Sequence, residues 1–166
     1  NGSGQLGVGE THENGYEEYE LRLLPVPINF AATTEMTPDR PPHILTVDCG
    51  DETTVAVDEE QRLWTWGHHG GGEAQGSPRL MALPARVAQV ACGYQHGAAV
   101  DDCGRLWTWG LGIHGQLGHA DTTAVQAPKL VANITDDAFG AHVAAEVRTL
   151  LEPPKRLSLA ADEMWA

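Results

Sequence analysis

A gapless internal repeat constrains the possible folds of this chain more than any other feature. Val47–Gly67 aligns on Val90–Gly110 at a shift of 43, and 12 of the 21 positions are identical, among them the Cys, both Trp and the closing Gly. The same shift pairs Pro41 with Pro84. A second signature, Gly4-Gln5-Leu6-Gly7, returns as Gly115-Gln116-Leu117-Gly118 at a shift of 111, with a degraded copy at Gly72-Glu73-Ala74-Gln75 between them. The units are therefore 68 and then 43 residues long, and the first carries an insertion. Self-similarity at a period of about 20–50 residues marks architectures in which each unit buries a face it cannot bury alone against its neighbours.

Each unit reads as β structure. Leu45, Val47 and Cys49 fall on one face at period two, as do Ala88, Val90 and Cys92 in the next copy. Ala98-Ala99-Val100, the turn residues Asp101 to Gly104, and Arg105 to Trp109 form a strand, a short Gly-closed loop and a strand, which is a hairpin pattern. Trp107 and Trp109 share a face, as do Trp64 and Trp66. Gly67 and Gly110 close those strands where a turn with positive φ excludes a Cβ. Short strands, repeats of this length, and Gly with aromatic punctuation are the cues of β-propeller blades.

Three linked motifs, Cys-Gly-Tyr-Gln-His-Gly-Ala-Ala-Val (92–100), Gly-Arg-Leu-Trp-Thr-Trp-Gly (104–110) and Gly-Gln-Leu-Gly-His (115–119), resemble the repeat of the regulator of chromosome condensation family. The resemblance covers about residues 1–131 and implies blades of a seven-bladed propeller. On it, Gly4, Gly7, Cys49, Gly50, Trp64, Trp66, Gly67, Cys92, Gly93, His96, Trp107, Trp109, Gly110, Gly115 and Gly118 are repeat-structural positions. The copy from Cys49 lacks the motif His, and its Gly-Gln-Leu-Gly element is degraded. After Val131 the pattern dissolves. Thr135, Asp136 and Asp137 offer N-cap oxygens there, Phe139, Val143, Val147, Leu150 and Leu151 recur at helical spacing, and Pro153-Pro154 ends the run. The expectation is an all-β chain of propeller blades with a C-terminal helix: repeats over 1–134, with an acidic insertion at 8–40, then a helical segment and flexible tail over 135–166.

A propeller closes with about 4 to 8 blades. This length supplies between two and three units, an incomplete ring, so the remaining blades are expected from the same or another chain. The opening Asn1-Gly2-Ser3-Gly4, without an initiator Met or a signal-peptide pattern, fits an excerpt of a longer polypeptide. There is no apolar run of about 18 residues, hence no expected membrane span. The net charge of -13, from 10 Lys plus Arg against 23 Asp plus Glu, argues against direct nucleic-acid binding. Three cysteines at spacings of 43 and 11 suit neither a disulfide framework nor a zinc pair. They point to a reducing compartment, cytoplasmic or nuclear.

No catalytic residue, cofactor site or metal site is expected. Of the eight histidines, His68-His69 with His96, His114 and His119 are the candidate metal set, but His96 and His119 hold repeat positions and His68-His69 lie in a Gly-rich loop without a carboxylate or Cys at ligand spacing. Cys49 and Cys92 read as small buried apolar residues, and Cys103 as an unactivated turn residue. Gly70-Gly71-Gly72 lacks the Lys-Ser/Thr of a phosphate loop. The insertion is more informative. Residues 8–40 hold seven acidic and two basic residues. Long loops in compact folds are functional or disordered. Read functionally, Glu10, Glu13, Glu17, Glu18 and Glu20 form an acidic arm that docks a basic surface, with Tyr16 and Tyr19 as contact anchors; otherwise the segment is a solvated loop.

The resemblance implies four roles. The first is a non-catalytic scaffold that recruits a protein partner. The second is guanine-nucleotide exchange on a small GTPase. The third is a substrate-binding module of a ubiquitin ligase whose catalysis lies elsewhere. The fourth, ultraviolet photoreception, is disfavoured because Gly93-Tyr94-Gln95-His96-Gly97 stands where that sensor has its Trp cluster. The scaffold is the preferred expectation and exchange the alternative.

Overall fold

The computed structural model describes residues 1–9, 24–30, 41–70 and 72–132, all within the compact unit Asn1–Ile134. Eight strands follow in chain order: β1 (Ile44–Cys49), β2 (Thr53–Asp58), β3 (Leu63–Gly67), β4 (Gln75–Met81), β5 (Val87–Cys92), β6 (His96–Asp101), β7 (Leu106–Gly110) and β8 (Val125–Leu130). They build two four-stranded sheets, β1-β2-β3-β4 and β5-β6-β7-β8, each an antiparallel meander. The chain is all-β in its described residues, as the repeat predicts. The segment expected to be helical, 135–166, lies outside them.

The shift of 43 holds down to the irregularities. Val55 pairs Thr65 as Ala98 pairs Thr108. The register slips between Ile44 and Thr46 and again between Val87 and Gln89, and between Thr65 and Gly67 as between Thr108 and Gly110. A slip of this kind adds a residue to one strand and sharpens its twist. Both sheets therefore twist at the same places and can stack face to face.

Each sheet has two unlike faces. Ala56, Trp64 and Trp66 lie on one, and Ile44, Leu80 and the segment carrying Ile28 and Phe30 pack against them. Phe30 meets Trp64 edge-on at 5.3 Å and Trp66 at 6.0 Å between ring centroids, the arrangement that the ring quadrupoles favour. On the opposite face Val55, Val57 and Leu63 meet Val87, Ala99 and Trp109 of the second sheet. The second sheet thus offers its tryptophan face to the first. Its own far face, with Ala98, Val100 and Leu106 at the positions of Val55, Val57 and Leu63, stays half-buried among the described residues.

One expectation is corrected. Leu45, Val47 and Cys49 do share a face, but Leu45 is 60% and Val47 55% exposed, and Cys49 is exposed as well. β1 is an edge strand, paired on one side only, and among the described residues nothing covers that face. Asp48, on the opposite face, reaches the second sheet, where its carboxylate accepts the Cys92 backbone N–H at 2.7 Å.

The joint between the sheets is closest where equivalent residues meet. A Cβ on Gly50 would stand 1.8 Å from the carbonyl oxygen of Gly93, its counterpart 43 residues on. Backbone cannot yield as a side chain does, so Gly50→Ala must part the sheets. We expect a loss of ~2–3 kcal/mol in urea unfolding. Gly104→Ala, whose Cβ meets nothing within 4 Å but whose φ is +79°, should cost only about 1 kcal/mol of backbone strain. Equal losses would refute the close joint.

Candidate functional site

In each sheet the second strand ends on a buried aspartate that organises the hairpin. Asp58 is 0% and Asp101 1% exposed. The Asp58 carboxylate accepts the backbone N–H groups of Glu60 and Arg62, Arg62 Nε at 2.7 Å and Trp64 Nε1 at 2.8 Å. Asp101 repeats the set with Cys103, Arg105 and Trp107. Each arginine also lies over its tryptophan, at 5.9 Å and 5.6 Å from the ring centroid. Burial opposes ionisation of both aspartates, yet the indole N–H, the backbone donors and the arginine outweigh it and hold both carboxyls below the usual range. Identity at the 43-residue shift was the signal for these residues in the sequence; their polarity disguised them as turn residues.

At the other end of the strands the loops of the two sheets meet on Glu52. Its carboxylate accepts the Tyr94 hydroxyl at 2.9 Å and Gln95 Nε2 at 2.6 Å, and His68 Nδ1 stands 3.2 Å away. Burial opposes its charge, but the contacts with Gln95, Tyr94 and Ser3, and the charge of His68, keep its carboxyl below the ordinary value. The Glu52 backbone N–H donates to the Tyr94 carbonyl, and the His68 N–H to the Glu52 carbonyl. Tyr94 itself is 53% exposed. Glu52, His68, Tyr94 and Gln95 thus form a polar rim shared by two sheets, with an aromatic side chain offered outward. Such a surface can bind a polar or basic partner group. Because Glu52 and Gln95 are repeat equivalents of different type, the alignment gave no hint of their contact.

The remaining repeat positions serve packing. Trp66 Nε1 and the Thr54 hydroxyl both donate to the Gln5 carbonyl at 2.8 Å, so the Gly4–Gly7 turn seals the first sheet. Thr108 donates to the Leu117 carbonyl at 2.6 Å, and His119 Nε2 lies 3.0 Å from the same hydroxyl. A Cβ on Gly93 would strike the ring of His96. Cys92 is half-buried, accepts from the Thr53 hydroxyl at 3.3 Å, and burial pushes its thiol up. Among the described residues the one cluster of three potential metal ligands is Asp101, Asp102 and Cys103, and Asp101 is already engaged by four donors. The acidic residues Glu10, Glu13, Glu17, Glu18 and Glu20, with Tyr16 and Tyr19, lie outside the described residues.

Two stacked four-strand meanders, each built around the same Trp–Asp–Arg hub, are consecutive blades of a β-propeller. The regulator of chromosome condensation (RCC1) repeat matches residues 103–145 and, in a second form of the same repeat, 87–116. The first match runs to residue 145, into the stretch read as helical from its spacing. No curated protein matches the chain. Among solved structures, yeast RCC1 (Prp20) bound to Kap60 is similar at 20% identity and a TM-score of 0.60, covering 81% of this chain and 32% of that one. Prp20p from Saccharomyces cerevisiae, described with its binding properties to Gsp1p and histones, gives 19% identity and a TM-score of 0.53 over 60% and 27%. Human WBSCR16 gives 22% identity and a TM-score of 0.46 over 52% and 24%. The chain thus spans about a quarter to a third of the solved structures it matches. It carries a partial set of repeats of the regulator of chromosome condensation family.

The hubs make a measurable claim. Their carboxyls lie below the unfolded value of about 3.9, so the stability they give is complete above that value and is lost as pH falls through the lowered folded values. Asp101→Asn should flatten this acid limb of the urea midpoint. Asp101→Ala, which strands the Trp107 indole and Arg105, should cost ~2–4 kcal/mol at pH 7. A change below ~0.5 kcal/mol would deny the hub its role.

Proposed function

We propose that the chain is part of a non-catalytic propeller that recruits a protein partner through its loops. The observation that carries the reading is the rim around Glu52, where loops of two blades converge on a charged, partly exposed cluster with Tyr94 outermost. The acidic insertion 8–40 extends the same chemistry, with Glu10, Glu13, Glu17, Glu18 and Glu20 for basic groups and Tyr16 and Tyr19 as anchors. Complementary charge speeds encounter and selects partners. Further blades, from the same or another chain, cover the half-buried face of Ala98, Val100 and Leu106 in this reading. No described helix is long and apolar enough to cross a membrane.

Guanine-nucleotide exchange on a small GTPase is the second reading, because the similar yeast propeller is described with binding to Gsp1p. A ubiquitin-ligase module is a third and has no observation of its own in its favour. The full-length protein, mixed with small GTPases loaded with fluorescent GDP, should leave release rates unchanged if it is a scaffold alone. Acceleration for any one of them would establish exchange instead. Pull-down with Glu10, Glu13, Glu17, Glu18 and Glu20 changed to Gln and Tyr16 and Tyr19 to Ala tests the arm while keeping Ile28 and Phe30 on the first blade: partner recovery should fall at least tenfold, and unchanged recovery would remove the arm from the interface.

A further inference from the structure

The two blades differ most in the connection between their third and fourth strands. In the second blade it runs over fourteen residues, 111–124, and in the first over seven, 68–74. The long loop contains Gly115-Gln116-Leu117-Gly118, places Leu117 at 1% exposure, and rests the Leu117 carbonyl and His119 on Thr108. The short loop puts His69 on Thr65, the equivalent of Thr108, but has no leucine to follow. What it leaves is a cavity of about 330 Å³ lined by Thr65, His69, Leu80 and Met81 of the first blade and Gln126 and Pro128 of the second.

A second observation points the same way. Trp66 Nε1 is capped by the carbonyl of Gln5, from the Gly-Gln-Leu-Gly turn that precedes its blade. Trp109 is the repeat equivalent of Trp66, is 0% exposed, and its Nε1 has no partner among the described residues. The turn that would supply its carbonyl is the degraded one, Gly72 to Gln75. His69 Nδ1 is also buried and unpartnered. The Thr65 hydroxyl donates to the Thr54 carbonyl, so His69 Nε2 carries the proton toward Thr65 and Nδ1 is left an acceptor. A missing leucine and a missing N–H for His69 Nδ1 are what one turn of peptide provides.

We propose that this interblade cavity receives a leucine-bearing turn segment of a partner protein, of the Gly-Gln-Leu-Gly type that fills the corresponding place in the second blade. The site goes beyond the rim and insertion described above and does not depend on them. Its leucine enters a space lined by apolar Leu80, Met81 and Pro128 together with polar Gln75, Arg79 and Gln126, and a backbone N–H of the turn meets His69 Nδ1.

The probe is the nonapeptide Leu-Gly-Ile-His-Gly-Gln-Leu-Gly-His, the sequence of residues 111–119, titrated to millimolar concentration into the full chain labelled with ¹⁵N. The amide signals of Met81, Ala82, Gln126 and Ala127 should move and saturate. Replacing the peptide's second leucine by alanine should weaken binding at least tenfold. Ala82→Phe, which fills the mouth of the cavity, should abolish binding while leaving the remaining spectrum intact; grafting 111–124 in place of 68–74 should do the same. The proposal is overturned if no lining signal moves, if both peptides bind alike, or if Ala82→Phe binds as before. Binding that emerges only after residues 10–23 are deleted, with Ile28 and Phe30 kept in place, would show that the chain fills its own cavity, and would equally overturn it. Loss of partner recovery in the pull-down leaves these signals untouched, so the two proposals fail separately.

Discussion

A carboxylate shut away from water must be surrounded by donors or surrender its charge. Asp58 and Asp101 meet that requirement with two backbone N–H groups, an arginine and an indole each, and the rest of each blade depends on the solution. The backbone donors fix the turn between second and third strands. The indole donor fixes the rotamer of the first tryptophan, and the strand pleat then places the second tryptophan on the same face. With one face committed to tryptophan, the other is left to Val55, Val57 and Leu63, and blades can stack only tryptophan face on aliphatic face. A single buried charge thereby sets the polarity of the stack.

Much of this was legible in the sequence because it repeats. The 43-residue shift gave the hairpins, the paired tryptophans and the strand-closing glycines, and the structure finds Gly67 and Gly110 at φ of +92° and +101°. What repeats is also what every joint needs, such as Gly50 against Gly93. The same reasoning passed over Asp58 and Asp101, whose polar character and position beside a turn matched a surface role. Burial of a charge is a property of the donors that converge on it, and those four donors come from three residues spread along the hairpin.

Contacts between unlike positions were not legible. Glu52 with Tyr94 and Gln95, and Phe30 on Trp64 and Trp66, have no second copy to compare. The insertion read as an acidic arm, yet its stretch Leu24–Phe30 supplies Ile28 and Phe30 to the apolar cover of the first blade. Period-two alternation likewise placed Leu45, Val47 and Cys49 together but could not tell that an edge strand leaves them outside. Alternation reports which residues share a face; only the stacking of whole blades decides whether that face is covered.

Individuality therefore lies where the repeat breaks. A feature present in every blade satisfies a requirement common to every blade, and a partner that read it would find several equivalent places. The unlike pair Glu52 and Gln95 and the shortened loop 68–74 occur once among the described units, and each changes what the surface offers. The shortened loop has the plainest physical consequence. A connection of seven residues in place of fourteen offers fewer side chains and backbone donors to the neighbouring strands. Trp109 retains a buried N–H in a blade whose sister caps the same atom with a carbonyl. An uncapped buried donor costs about 1–3 kcal/mol relative to a capped one. That cost falls at the joint between the two described blades, where the connection 68–74 is shortened.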